Sequence, residues 1–82
     1  MILPTIAAVI ADVLDLGPAH GIGPSTRLCE DLQTDSLDRQ CIAVDCDMAF
    51  RIEIPDDDVS EWLTVADIAA TVARLTEERV AA

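Results

Sequence analysis

The sequence predicts an all-α fold, and three observations carry that expectation. Apolar residues recur at helical spacing in three separate stretches, 6–14, 37–50 and 65–75. No stretch shows a sustained alternation of β-branched residues. Hydrophobic residues make up 51% of the chain, yet only Phe50 and Trp62 are aromatic, so the core must be aliphatic, and its Ala and Leu favour helix. A chain of 82 residues suits a single domain, 1–82, with one modest core.

The elements follow in order. Pro4 suits the first turn of a helix, Ile6, Val9, Ile10, Val13 and Leu14 form its buried stripe, and Gly17-Pro18 is expected to end it. Residues 17–34 form a long connection rich in Gly, Pro and Ser, pinned by Leu28 and Leu32. Asp35 is a good N-cap for a second helix, and Asp38 at N3 completes a capping box with Asp in place of Glu or Gln. That helix is expected to run to Phe50 or Arg51. Ile52-Glu53-Ile54 is an extended link, because Pro55 disfavours helix at the residue before it. Asp56-Asp57-Asp58 favours the start of a short third helix, whose apolar residues are Val59, Trp62 and Leu63. Thr64 with Asp67 caps a fourth helix from Val65 to about Arg79, with Val65, Ile68, Ala69, Val72 and Leu75 as its core stripe and Arg74 and Arg79 toward its C-terminal end. The result is a four-helix bundle of three longer helices and one short one.

Sixteen acidic residues stand against five arginines and no lysine, a net charge of −11. Such a chain repels nucleic-acid phosphates, which excludes that class of partner. It suits partners with basic patches, although an acidic surface also serves solubility alone. Cys29, Cys41 and Cys46 lack CxxC spacing, and the last two stand about 140° apart on a helical wheel, so they share no metal. They are expected as small buried or half-buried hydrophobes, free thiols of a reducing cytoplasm. His20 has no acidic or nucleophilic neighbour in sequence and is expected to face solvent. Met1–Leu14 is apolar but lacks a basic segment, is interrupted by Asp12 and is too short to span a bilayer. A cytoplasmic protein without membrane insertion, and a monomer, is expected.

The second helix has two apolar faces. With Leu37 at zero, Cys41, Val44 and Met48 fall within about 40° of it, whereas Ile42, Cys46, Ala49 and Phe50 gather between about 120° and 220°. Asp38 and Asp45 separate the faces on one flank, Gln40 and Asp47 on the other. So small a domain can bury only one, and the other, bordered by carboxylates, is a candidate docking surface. At the head of this helix stands Ser36, its hydroxyl beside free backbone N–H groups where a phosphate would be stabilised. No base is supplied in sequence to make Ser36 a nucleophile of its own, so it reads as a group that receives rather than reacts.

These features resemble the acyl carrier protein family over nearly the whole chain. The motifs that carry the resemblance are Glu30-Asp31-Leu32, Asp35-Ser36-Leu37-Asp38 and Phe50-Arg51-Ile52-Glu53-Ile54-Pro55-Asp56. It implies that Ser36, flanked by Asp35 and Leu37, carries 4′-phosphopantetheine transferred from coenzyme A by a phosphopantetheinyl transferase. It implies that the arm's thiol holds acyl groups as thioesters for fatty-acid, lipid or polyketide enzymes, among them loading, ketosynthase and acyltransferase types. Leu37, Val44 and Met48 would be apolar docking contacts and Asp35, Asp38, Asp45 and Asp47 charged ones, with Ile42, Cys46 and Phe50 lining the acyl chain. The chain departs from the family at Gln33-Thr34, where Gly-Ala is usual and no turn is evidently tightened. It departs again at Arg39, at Cys41 in place of an acid, and at Arg51 in place of Gly after Phe50. These departures imply a specialised paralogue.

The other readings are an aminoacyl or peptidyl carrier, an acidic interaction module without a prosthetic group, and an enzyme with Ser36 as nucleophile. Asp-Ser-Leu and the strong acidity favour the acyl version, and the enzyme lacks an oriented base. No resident metal is expected, because Asp56-Asp57-Asp58 and the Asp35/Asp38 pair lack EF-hand spacing. Like-charge repulsion then has one direct consequence. Added salt should raise the melting temperature by screening it, and melts at low and moderate ionic strength check this, a fall being the contrary result.

Overall fold

A computed structural model describes residues 2–17 and 21–81, with side chains as far as Glu78. Four helices follow in order, α1 (Ile2–Val13), α2 (Ser36–Phe50), α3 (Asp56–Glu61) and α4 (Val65–Ala81). The only β-type pairing among the described residues is an isolated antiparallel bridge between Arg27 and Thr64. The all-α expectation, with three longer helices, one short one and a long connection after α1, holds.

The core is aliphatic, as the composition requires. Ile6 and Ile10 from α1, Leu28 from the connection, Ile42 and Cys46 from α2, and Val65, Ile68 and Val72 from α4 are all but inaccessible to solvent. Val59 and Trp62 close the cluster from the α3 side. Burying side chains of this size contributes about 1.5–3 kcal/mol each. Trp62 keeps its polar edge satisfied by donating its indole N–H to Thr71 Oγ1 at 3.0 Å. Leu63, expected among the apolar residues of α3, instead lies beyond that helix and is 73% exposed.

The ends of the helices correct two expectations. α1 does not run to Gly17-Pro18. It stops at Val13, because Asp15 takes a left-handed φ of 55° and Leu16 N–H donates back to Ala11 O at 2.8 Å. Pro18 and His20, the latter expected at the surface, lie outside the described residues. At the other end of the connection Gln33 also has φ 55°, with its N–H on Cys29 O at 3.1 Å. A tight left-handed turn is therefore made there without glycine, contrary to the reading of Gln33-Thr34. α2 ends in the same way, with Arg51 at φ 55° and Ile52 N–H on Asp47 O at 3.1 Å. Asp47 Oδ1 then accepts from Ile54 N–H at 2.9 Å, which holds the extended link against the end of α2.

An ion pair links α3 to α4. Arg74, expected near the C-terminal end of α4, sits mid-helix and reaches Asp58 of α3 at 2.7 Å. The Thr64–Asp67 cap forms as read. Asp67 Oδ2 accepts from the N–H groups of Leu63 at 2.8 Å and Thr64 at 3.0 Å, while Asp67 N–H donates to Thr64 Oγ1 at 3.4 Å. Those two N–H donors hold the Asp67 carboxyl below its ordinary range, burial and the Thr64 hydroxyl being lesser effects. A carboxylate favoured in this way stabilises the fold above its unfolded-state pKa and loses that contribution as pH falls through the lower, folded-state value. Asp67→Ala should therefore cost about 1 kcal/mol in chemical denaturation at neutral pH, with the gap to wild type closing as the acid range is entered.

Candidate functional site

The head of α2 is fixed from behind before any side chain of the site is considered. Leu28 is fully buried, and its N–H donates to Leu63 O at 2.9 Å. Its carbonyl accepts both the N–H and the hydroxyl of Thr34, each at 3.0 Å. Thr34 is itself buried, so the residue two before Ser36 is tied through Leu28 to Leu63, which precedes α4's cap. Leu28 is the pin that the sequence predicts, whereas nothing in the sequence marks Thr34. A Thr preceding an N-cap Asp has no signal of its own, because its partner is six residues back in an irregular segment. Arg27 N–H donating to Asp31 Oδ2 at 2.8 Å further stiffens the segment and, as the leading cause, draws the Asp31 carboxyl down.

From this base the capping box forms. Asp38 N–H donates to Asp35 Oδ1 at 2.8 Å, and Asp35 N–H donates to Asp38 Oδ2 at 3.3 Å. Ser36 is the first helical residue and is exposed. Its capping is done by the neighbours on either side, and the N–H groups of Ser36 and Leu37 have no acceptor among the described residues. An exposed hydroxyl over free N–H donors is a chemical match for a phosphate ester, because the donors and the helix dipole favour a negative group at that end.

The two faces of α2 separate as follows. Ile42 and Cys46 are wholly buried, Phe50 is half-buried and Ala49 is exposed. On the other face Leu37 is 70% exposed, Met48 68% and Val44 53%, with Cys41 exposed among them. Asp35 is exposed, and Asp38, Asp45 and Asp47 are half-buried. Asp35, Asp38 and Asp47 each use one oxygen on a backbone N–H group, so three of the four carboxylates at this surface also have structural work. An open groove of about 300 Å³ lies elsewhere, between Leu3, Pro4 and Ala7 of α1, Ile22–Pro24 and Val65. No group of three or more metal-ligating side chains occurs among the described residues.

The cysteines depart from expectation. Only Cys46 is buried; Cys29 and Cys41 are exposed. Burial in the core, reinforced by Asp47 and Asp45, pushes the Cys46 thiol up to about 12.

An exposed serine at the head of a capped helix in an acidic bundle has the form of a carrier domain. The comparisons with known proteins agree. Residues 4–72 match the family model for a phosphopantetheine attachment site. The chain is 35% identical over 77 residues to the meromycolate extension acyl carrier protein of Mycobacterium tuberculosis, covering 94% of this chain and 66% of that protein. It thus spans just under two thirds of that relative's length. It is 34% identical over 67 residues to an acyl carrier protein of Thermosynechococcus vestitus, covering 82% of each. A solved Mycobacterium tuberculosis structure described as an acyl carrier protein superposes with a TM-score of 0.82 at 28% identity, over 90% of this chain and 97% of that one. The chain belongs to the acyl carrier protein family. Its prosthetic group is covalently attached 4′-phosphopantetheine. No described helix is long and apolar enough to cross a membrane.

The thiol assignment can be read directly. The folded protein should consume about two equivalents of a thiol reagent at neutral pH, at Cys29 and Cys41, and the third only on unfolding. Peptide mapping after brief alkylation identifies which sulfurs react.

Proposed function

We propose that Ser36 is the point at which 4′-phosphopantetheine is attached, and that the chain presents acyl thioesters on that arm to biosynthetic enzymes. The observation that carries this reading is the exposed Ser36 hydroxyl at the first position of α2, in a helix start whose capping does not depend on it. A phosphopantetheinyl transferase supplies what the chain lacks. Its base takes the Ser36 proton, Ser36 Oγ forms the new bond to the pantetheine-side phosphorus of coenzyme A, the P–O–P bridge breaks, and adenosine 3′,5′-bisphosphate leaves. When bound, the group supplies a terminal thiol that holds acyl chains as thioesters. Asp35 and Leu37 flank the root of the arm.

The partners fit the surface of α2. Leu37, Val44 and Met48 offer exposed apolar side chains, and Asp35, Asp38, Asp45 and Asp47 border them with negative charge. Enzymes with a basic rim around an apolar patch would match this pattern, charge guiding encounter and the apolar residues slowing release. Ile42, Cys46 and Phe50 stand where an acyl chain entering the bundle would run, although the first two are fully packed, so α2 and its neighbours would have to part. Arg39 and Cys41 make the face less acidic than in the housekeeping carrier, and with the meromycolate relatives this supports a specialised lipid pathway. We place the protein in the cytoplasm, as a monomeric single domain.

Incubation with coenzyme A and a phosphopantetheinyl transferase should add one phosphopantetheinyl group by intact mass. Ser36→Ala should abolish the addition while the circular dichroism spectrum and melting temperature stay close to wild type, since Asp35 and Asp38 make the cap. An unmodified wild-type chain beside a modified control carrier would overturn the assignment.

A further inference from the structure

The chain has only five arginines and no lysine, so the position of each cation is informative. Arg27 is held by Glu30 at 2.6 Å and Asp31 at 3.4 Å, and Arg74 by Asp58 at 2.7 Å. Arg39 differs. It is half-buried, one turn into α2, and no described carboxylate lies within ion-pair distance of it. This is unexpected in a helix with acids at positions 35, 38, 45 and 47. The capping box explains part of it, because Asp35 and Asp38, the acids nearest in sequence, point their carboxylates at each other's backbone N–H groups.

Arg39 follows Ser36 by three residues. Side chains so spaced on a helix are neighbours, with Cβ atoms about 5–6 Å apart. Helical side chains also lean toward the N-terminus, so the Arg39 stem runs toward the turn that carries Ser36. The guanidinium can therefore reach a group bonded to Ser36 Oγ without leaving the helix surface. A phosphodiester there would bring one more negative charge beside Asp35 and Asp38. Its two non-bridging oxygens match the fork of a guanidinium, and a lysine would meet them only as a point charge.

We propose that Arg39 is a positioning residue that pairs with the phosphate at the root of the arm and holds that root along α2. This rests on the assignment of the arm to Ser36. The pair is at the surface and screened, so its effect is on where the arm starts and not on the stability of the fold.

The test compares unmodified and phosphopantetheinylated protein by nuclear magnetic resonance, with intact mass and peptide mapping to locate the arm. On modification the Arg39 Nε–Hε resonance should shift and its hydrogen exchange slow several-fold, while those of Arg27 and Arg74 stay in place. The phosphorus resonance of the modified protein should move in Arg39→Gln, return part of the way in Arg39→Lys, and lose its dependence on residue 39 as salt is raised. An arm mapped to Ser36 with an Arg39 resonance identical in both forms overturns the inference, as does a phosphorus line indifferent to Arg39→Gln. The wild-type comparison needs no variant to fold. An arm that is absent, or bonded elsewhere, overturns the Ser36 assignment itself and is told apart by the mass data.

Discussion

Leu28 is the joint on which the architecture of this protein depends. Its side chain is sealed in the core, and its backbone bonds in two directions, to Leu63 just before α4 and to Thr34 just before α2. A connection of this length would otherwise leave the start of α2 loosely placed, because the entropy of a long loop falls on whatever its ends must position. Here one residue ties the head of α2 to the cap of α4, and the Arg27–Thr64 bridge and the bond from Val65 N–H to Thr26 O at 3.0 Å continue the seam. The serine is thus exposed on a rigid base, which is what the proposed attachment of the arm to Ser36 calls for.

Most of the fold was legible because it is written in local chemistry. The Asp35/Asp38 box and the Thr64/Asp67 box are reciprocal interactions over three residues, and each formed where the sequence put it. The apolar stripes of α1 and α4 follow from a 3.6-residue repeat that short segments suffice to reveal. What was not legible was the left-handed backbone. The sequence points to Gly17-Pro18 as the end of α1, and Gly17 does have φ 80°, yet the chain already turns at Asp15, and Gln33 and Arg51 take positive φ with no glycine at all. A residue whose conformation is imposed by its surroundings announces nothing in sequence.

The site divides along the same line. Ser36 and the exposed positions 37, 44 and 48 could be placed from helical geometry, since a wheel with two apolar faces and room to bury one leaves the other outside. Cys41 shares that face of the wheel, so its exposure follows from its position on the helix and overrides the habit of thiols to be buried, whereas Cys29 lies in the irregular connection, where no periodicity places it. Asp47 reads as one more surface charge in sequence, and only the fold reveals that it holds the link at Ile54.

The three left-handed corners carry a carboxylate, an amide and a guanidinium, all on exposed residues. A side chain in that conformation costs about 1–2 kcal/mol over glycine in the folded state. Glycine, however, gives the denatured chain more freedom to lose, a penalty of about 0.5–1 kcal/mol in the opposite direction. The second offsets only part of the first, and the remainder is much the same whichever exposed side chain stands at the corner. Relatives can therefore exchange acid, neutral and base there at little thermodynamic expense, which makes the bends of the bundle the places where one carrier can come to differ from another.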